Sequence, residues 1–231
     1  ERTSKLITKR HVHINSALKT PQFWLIWWVL CLNVTAGIGV ISQASVMIQE
    51  SFHGLVSAAA AAGFVGLLSL FNMGGRFFWA TLSDYIGRKN TYYLFFILGI
   101  LLYLSVPTAG KVGSVALFVL CYLIIISMYG GGFSTLPAYL ADIFGTAYVG
   151  GIHGRLLTAW SAVGVFGPVL VNYLRQYQID HGVARADAYA VTMYVMAVLL
   201  AIGFVCNFLI KPVIEKYWMS EEEVKALSQG V

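Results

Sequence analysis

Gly75-Arg76-Phe77-Phe78-Trp79-Ala80-Thr81-Leu82-Ser83-Asp84-Tyr85-Ile86-Gly87-Arg88-Lys89 joins two long apolar runs, 55–81 and 91–107. The stretch turns abruptly from aromatic to polar, packing Ser83, Asp84, Gly87, Arg88 and Lys89 together, and the chain is apolar again after Asn90. Each flanking run is long enough to cross a hydrocarbon core of about 30 Å as a helix, so the link reads as a short reversal at a membrane surface. Outward from it the same alternation repeats. Further apolar spans cover 21–47, 114–144, 151–177 and 188–210, separated by polar links at 49–54, 108–113, 145–150 and 178–187. Pro21 suits a helix start, where its missing N–H would be unpaired anyway. Barrel strands would be about half as long and would alternate strictly. The expected fold is all-α: a polytopic membrane protein with six transmembrane helices.

Composition agrees. Of the residues, 58% are hydrophobic and 11% charged, with a mean hydropathy of +0.75; a soluble domain carries roughly 25% charge. Cys31, Cys121 and Cys206 all fall inside apolar segments. That placement argues against a secreted disulfide framework and for packing residues. The organisation expected is a basic tail at 1–20, a six-helix unit at 21–210 and a second tail at 211–231. The chain opens at Glu1 without methionine and without a signal-peptide pattern, so it is expected to be cut from a longer polypeptide.

Lys and Arg crowd one set of flanks: Arg2, Lys5, Lys9, Arg10 and Lys19, then Arg88 and Lys89, then Lys211, Lys216 and Lys225. The other set holds Lys111, Arg185 and, near a span end, Arg175. Cytoplasmic flanks carry the excess, which predicts both termini in the cytoplasm. The net charge of +5 then orients the chain, with anionic lipid as a partner and no nucleic acid. The first three spans also echo the last three. Gly37 and Gly39 in span one match Gly130, Gly131 and Gly132, with Pro137, in span four; small residues fill 57–66 and 161–167. Paired, loosened segments of this kind mark a three-plus-three inverted repeat, although small residues also let membrane helices pack closely anywhere.

Arg76 lies about two turns inside the end of span two. A cation at membrane depth costs roughly 2.5–3.5 kcal/mol on insertion scales, so it either snorkels to the interface or faces a cavity. In a cavity its guanidinium can grip a carboxylate in bidentate geometry. Tyr129 and Phe133, four apart, share one helix face and can either fill the core or form one wall of that cavity. Asp84 can pair with Arg88 or meet free N–H groups, Gly87 permits a sharp reversal, and Asp142 can cap a neighbouring helix start. With Lys89 these make a candidate conformational latch. Asp84, Asp142 and Glu50 all sit at helix ends, which leaves no mid-membrane acid for a proton relay in these six spans. No metal or cofactor is expected.

The second half of the opening stretch, Ala80 to Lys89, resembles the loop signature of the major facilitator superfamily, departing from it at Ala80 and Tyr85. More closely, the chain resembles the oxalate/formate antiporter family and, more distantly, the monocarboxylate transporters. The resembling pieces are Asn33 to Gly39 with Ser42 to Ser45, Gly75-Arg76, Tyr129 to Phe133 with Pro137-Ala138 and Ala141-Asp142, and Gly154 to Trp160. The resemblance implies the C-terminal half of a twelve-helix carrier, partnered by an N-terminal six-helix half. It implies alternating access, Arg76 as the carboxylate anchor, and Tyr129 and Phe133 as pocket walls. Dicarboxylate-carrying members add a lysine on the fifth span. Here Trp160 stands near that place, and one cation suits a monocarboxylate such as formate, lactate or pyruvate better than oxalate. Asn33 and Asn72 are further polar candidates for the substrate site. The expected location is a bacterial inner membrane.

Other readings are poorer. A six-helix membrane protease would need a base for Ser134, and span six contains no histidine: His11, His13, His53, His153 and His181 lie in the tail, the links or at a span start. No enzyme is expected. A transporter-like anion sensor without net transport stays open as the alternative.

Overall fold

The computed structural model describes residues 6–52, 54–185 and 187–229; Arg2, Lys5 and His53 lie outside the described residues. A one-turn helix α1 (Ile14–Ala17) precedes the spans. Then follow α2 (Pro21–Ser51), α3 (Ala58–Ile86), α4 (Arg88–Val112), α5 (Val115–Phe144), α6 (Val149–Leu156), α7 (Thr158–Asp180) and α8 (Ala190–Leu209). A 3-10 turn (Glu215–Tyr217) and α9 (Glu221–Gln229) complete the chain. Six helical segments are long and apolar enough to cross a membrane, α6 and α7 forming one of them as Val149–Asp180. Thr20, Ser57 and Ser114 cap α2, α3 and α5 through side-chain oxygens that accept from Phe23, Ala60 and Leu117 N–H. Gly87, Gly113 and Gly145 stop α3, α4 and α5 at φ of 88°, 72° and 78°, where a Cβ would be strained.

The helices outrun the apolar pattern. The expected link at 82–90 shrinks to Gly87 alone, and α2 continues to Ser51. Span three passes Pro107 and ends at Val112. Pro107 costs the Tyr103 carbonyl its intrahelical donor, whereas stopping the helix there would orphan a whole turn of carbonyls. The anticipated loosening at the glycines is absent: α2 runs unbroken through Gly37 and Gly39, and α5 through Gly130 to Gly132. Those glycines are sites of close helix approach.

Packing follows the repeat. α3 lies along α5 as α7 lies along α2, α4 packs on α5 as α8 packs on α2, and α4 meets α8. Exchanging the first three spans for the last three maps these pairs onto one another, so the bundle is a three-plus-three repeat with α2 and α5 at its centre. The outer faces of α3 and α7 stay uncovered, with Phe77, Phe78, Phe166 and Val169 exposed. Both tails meet at one end. Thr8 N–H donates to the Asp142 carbonyl at 2.8 Å, Val12 N–H to Phe144 at 2.9 Å, and Met219 N–H to His11 at 2.9 Å. Arg88 and Lys89 belong to this end, as do Lys9, Arg10, Lys211 and Lys216. Cys31, Cys121 and Cys206 are free thiols.

Candidate functional site

The site is built on the α3–α5 seam, where glycines bring backbones into contact. A Cβ on Gly75 would stand 2.2 Å from the Ser127 carbonyl oxygen, and one on Gly130 would stand 2.2 Å from that of Asn72. Gly131 receives the Trp79 side chain, whose indole N–H donates to Ser127 Oγ at 3.1 Å. Ser134 Oγ–H donates to the Arg76 carbonyl at 2.9 Å. This seam fixes the backbone of Arg76 while its side chain is exposed, with no ion pair to another described residue.

Tyr129 seats its ring over Gly37, where a Cβ would be 2.1 Å from the ring. Tyr129 and Phe133 meet edge to face with centroids 5.3 Å apart, and Phe133 meets Trp160 likewise at 6.1 Å. The rings of Tyr129, Phe133 and Trp160 thus form one aromatic wall from α5 and α7, while the Arg76 backbone on α3 is held at Ser134, next to Phe133. Such a wall sheds water and strengthens a charge pair formed against it.

The two asparagines occupy packing positions on the α5 glycines. Asn33 is buried against Gly132, and its Nδ2 has no hydrogen-bond partner; Asn72 lies over Gly130 with an unpartnered Oδ1. Asn33 also borders a narrow crevice shared with Gly37 and Tyr129, so its free donor lies beside the aromatic wall.

Two residues that sequence reasoning passed over hold the seam from behind. The buried hydroxyls of Tyr92 and Tyr103 on α4 donate to the carbonyls of Gly132 and Ala36, each at 2.7 Å. Their spacing of eleven residues is close to three helical turns and puts both on one face, a signal visible in the sequence. They pin α5 at Gly132 and α2 at Ala36, next to Gly37, on which Tyr129 rests.

At the tail end, Arg88 pairs with Asp84 one turn earlier, and its Nε lies 3.9 Å from Asp142 Oδ2. One guanidinium therefore joins α3, α4 and α5 beside Gly87. These residues line a cavity of about 520 Å³ that Leu6 and Ile7 of the tail also border. Lys89 points elsewhere: its Nζ donates to the carbonyls of Ile210 at 2.6 Å and Phe208 at 3.2 Å, capping α8. Asn207 links to this cap, donating to the Lys89 carbonyl at 3.1 Å and accepting from Tyr139 at 2.9 Å. No cluster of three His, Cys, Asp or Glu suited to a metal occurs among the described residues.

A polytopic bundle of six spanning helices, repeated three and three about α2 and α5, is the architecture of a membrane transporter. The chain belongs to the Major Facilitator Superfamily, whose family model matches residues 1–168. It is 32% identical over 162 residues to the oxalate:formate antiporter of Oxalobacter formigenes, covering 70% of this chain and 38% of that protein. It is 26% identical over 215 residues to apicoplast pyruvate carrier 1 of Toxoplasma gondii, covering 84% of this chain and 35% of that protein. The chain spans little more than a third of the length of these curated relatives. Both relatives carry small organic anions in their names: oxalate and formate in one, pyruvate in the other.

Proposed function

We propose that this chain supplies the C-terminal six-helix half of a twelve-helix secondary transporter that carries a small monocarboxylate, such as formate, lactate or pyruvate, by alternating access. The observation that carries this reading is Arg76: an exposed guanidinium on a membrane helix, unpaired with any described acid, on a backbone held at Ser134, next to the ring cluster of Tyr129, Phe133 and Trp160. A carboxylate would complete its bidentate fork, while the rings receive a short apolar body and exclude water. One cation on this face balances one carboxylate; α7 carries Trp160 and no lysine, which disfavours a dianion. The uncovered faces of α3 and α7 supply a natural seat for an N-terminal half, and rocking of two such halves would expose the site to each side in turn.

The crowding of Lys and Arg at the tail end supports cytoplasmic termini. The Asp84–Arg88–Asp142 cluster would act as the cytoplasmic latch beside Gly87. Within these six spans the anion would be exchanged for another anion or would travel with its own proton, since the acids sit at helix ends.

Counterflow of labelled formate, lactate, pyruvate and oxalate in proteoliposomes holding the twelve-helix protein tests the reading, with Arg76→Gln alongside. Monocarboxylate counterflow abolished by Arg76→Gln, with insertion intact, is the expected result. Unchanged transport in that variant would make Arg76 a snorkelling cation and overturn the assignment. Binding without counterflow in the unmodified protein would favour an anion sensor.

A further inference from the structure

The end of the bundle away from the tails holds a charge pair outside both the site and the latch. Arg175, in the last turns of α7, donates from Nε to Glu50 Oε2 at 3.2 Å and from Nη2 to Glu50 Oε1, so the fork is bidentate. The side chains are only 19% and 13% exposed. Tyr189, just ahead of α8, closes the third side: its ring centroid lies 5.4 Å from the Arg175 Cζ. Burial, then the Glu50 charge, pushes the Tyr189 hydroxyl above its ordinary range, which keeps it protonated beside the carboxylate. Closer to the centre, Gln43 Nε2 donates to Asn172 Oδ1 at 2.8 Å, and Gly39 accepts Val171, whose side chain lies 2.8 Å from the would-be Cβ. The α2–α7 seam is thus tied at three levels over about 16 Å of helix, from Gly39 to Glu50.

The internal repeat gives this pair a counterpart. α2 corresponds to α5, and each ends in an acid within its last turn, Glu50 in Pro21–Ser51 and Asp142 in Val115–Phe144. Each acid faces an arginine of the neighbouring helices, Arg175 and Arg88 respectively. Because the repeat is inverted, the two pairs stand at opposite ends. Alternating access requires an element at each end with two arrangements.

We propose that Glu50 and Arg175, backed by Tyr189, form a clamp at the far end that holds the outer half of α2 against α7, and that α2 and α7 separate when the clamp parts. The inner end of this seam adjoins the site, because Gly37, two residues from Gly39, is the surface on which Tyr129 rests. Motion of the outer half of α2 is therefore felt at the aromatic wall. The gating role rests on the transport reading, whereas the clamp as a physical device does not.

Val171 is 1% exposed inside this seam, so Val171→Cys places a thiol that a small maleimide reaches only when α2 leaves α7. The rate of its labelling is compared in the twelve-helix protein, in Glu50→Met with Arg175→Met, and in the charge-swapped Glu50→Arg with Arg175→Glu. The apolar double variant removes both charges and so avoids stranding one of them in the membrane. Labelling at least five-fold faster in the apolar pair, and slowed again in the swap, is expected. Labelling within two-fold of the parent in the apolar pair, at equal unfolding temperature, would overturn the clamp. Pyruvate counterflow, measured on the same preparations with Arg76→Gln as control, reports separately on the transport reading: its absence throughout would sink that reading and leave the labelling result standing.

Discussion

The two ends of the bundle solve one problem, an arginine among helix ends, in different ways. At the tail end Arg88 is shared by two carboxylates, the nearer only four residues away and 63% exposed, the farther at 3.9 Å. At the far end Arg175 is spent on one acid, 125 residues distant in sequence, in a bidentate and largely buried pair. In the shared arrangement only Asp84 is open to water, Arg88 and Asp142 being 22% and 20% exposed, and the second contact is long and monodentate. The bidentate one is self-satisfied, so it contributes shape, and breaking it strands a charge. Local pairing thus makes a weak, adjustable junction, while tertiary pairing makes a stiff one.

The largest effect should come from breaking the stiff end on one side only. Arg175→Met leaves Glu50 buried without a partner and is expected to cost about 3–5 kcal/mol, read as a lowered unfolding temperature in detergent. A loss no larger than that of Arg88→Met would erase the contrast between the ends. Next comes the seam that separates them: Gly130→Val drives a Cβ into the Asn72 carbonyl. Since the obstacle is backbone, a cost of about 1–3 kcal/mol from overpacking is expected, with Arg76-dependent transport lost alongside.

Smaller effects sharpen the picture. Tyr92→Phe deletes one hydroxyl from a carbonyl that keeps its helical partner, and about 0.6 kcal/mol is expected from polar contacts between membrane helices. Equilibrium unfolding can resolve it, and a cost above about 2 kcal/mol would show that α4 holds Gly132 far more strongly than the geometry implies. Asp84→Asn should cost least, about 0.3–0.5 kcal/mol for an exposed i,i+4 pair. Raised salt should shrink that difference, while the cost at Arg175 should be much less screened.

Much of the fold was legible because the solvent imposes it. Six apolar runs imply six helices whatever their neighbours, and Asp84, Gly87 and Arg88 announce their reversal by spacing alone. Arg76, Tyr129, Phe133 and Trp160 could be nominated from cost, periodicity and resemblance, and the structure puts the three rings in contact and holds the Arg76 backbone at Ser134. Helix ends were less legible: hydropathy stops at Pro107, while the backbone continues to satisfy its carbonyls until Gly113.

What the sequence by itself determined is the class: a helical membrane bundle, its repeat and its charged end. Only the tertiary structure decided what the glycines are for, since a gap in a side-chain pattern does not say whether a helix bends or a neighbour arrives. It likewise assigned Lys89 to α8, placed the Tyr92 and Tyr103 hydroxyls on Gly132 and Ala36, and joined Glu50 to Arg175. These are pairings between residues far apart in the chain, and they exist because each polar group withdrawn from water must find its partner wherever helix packing delivers one.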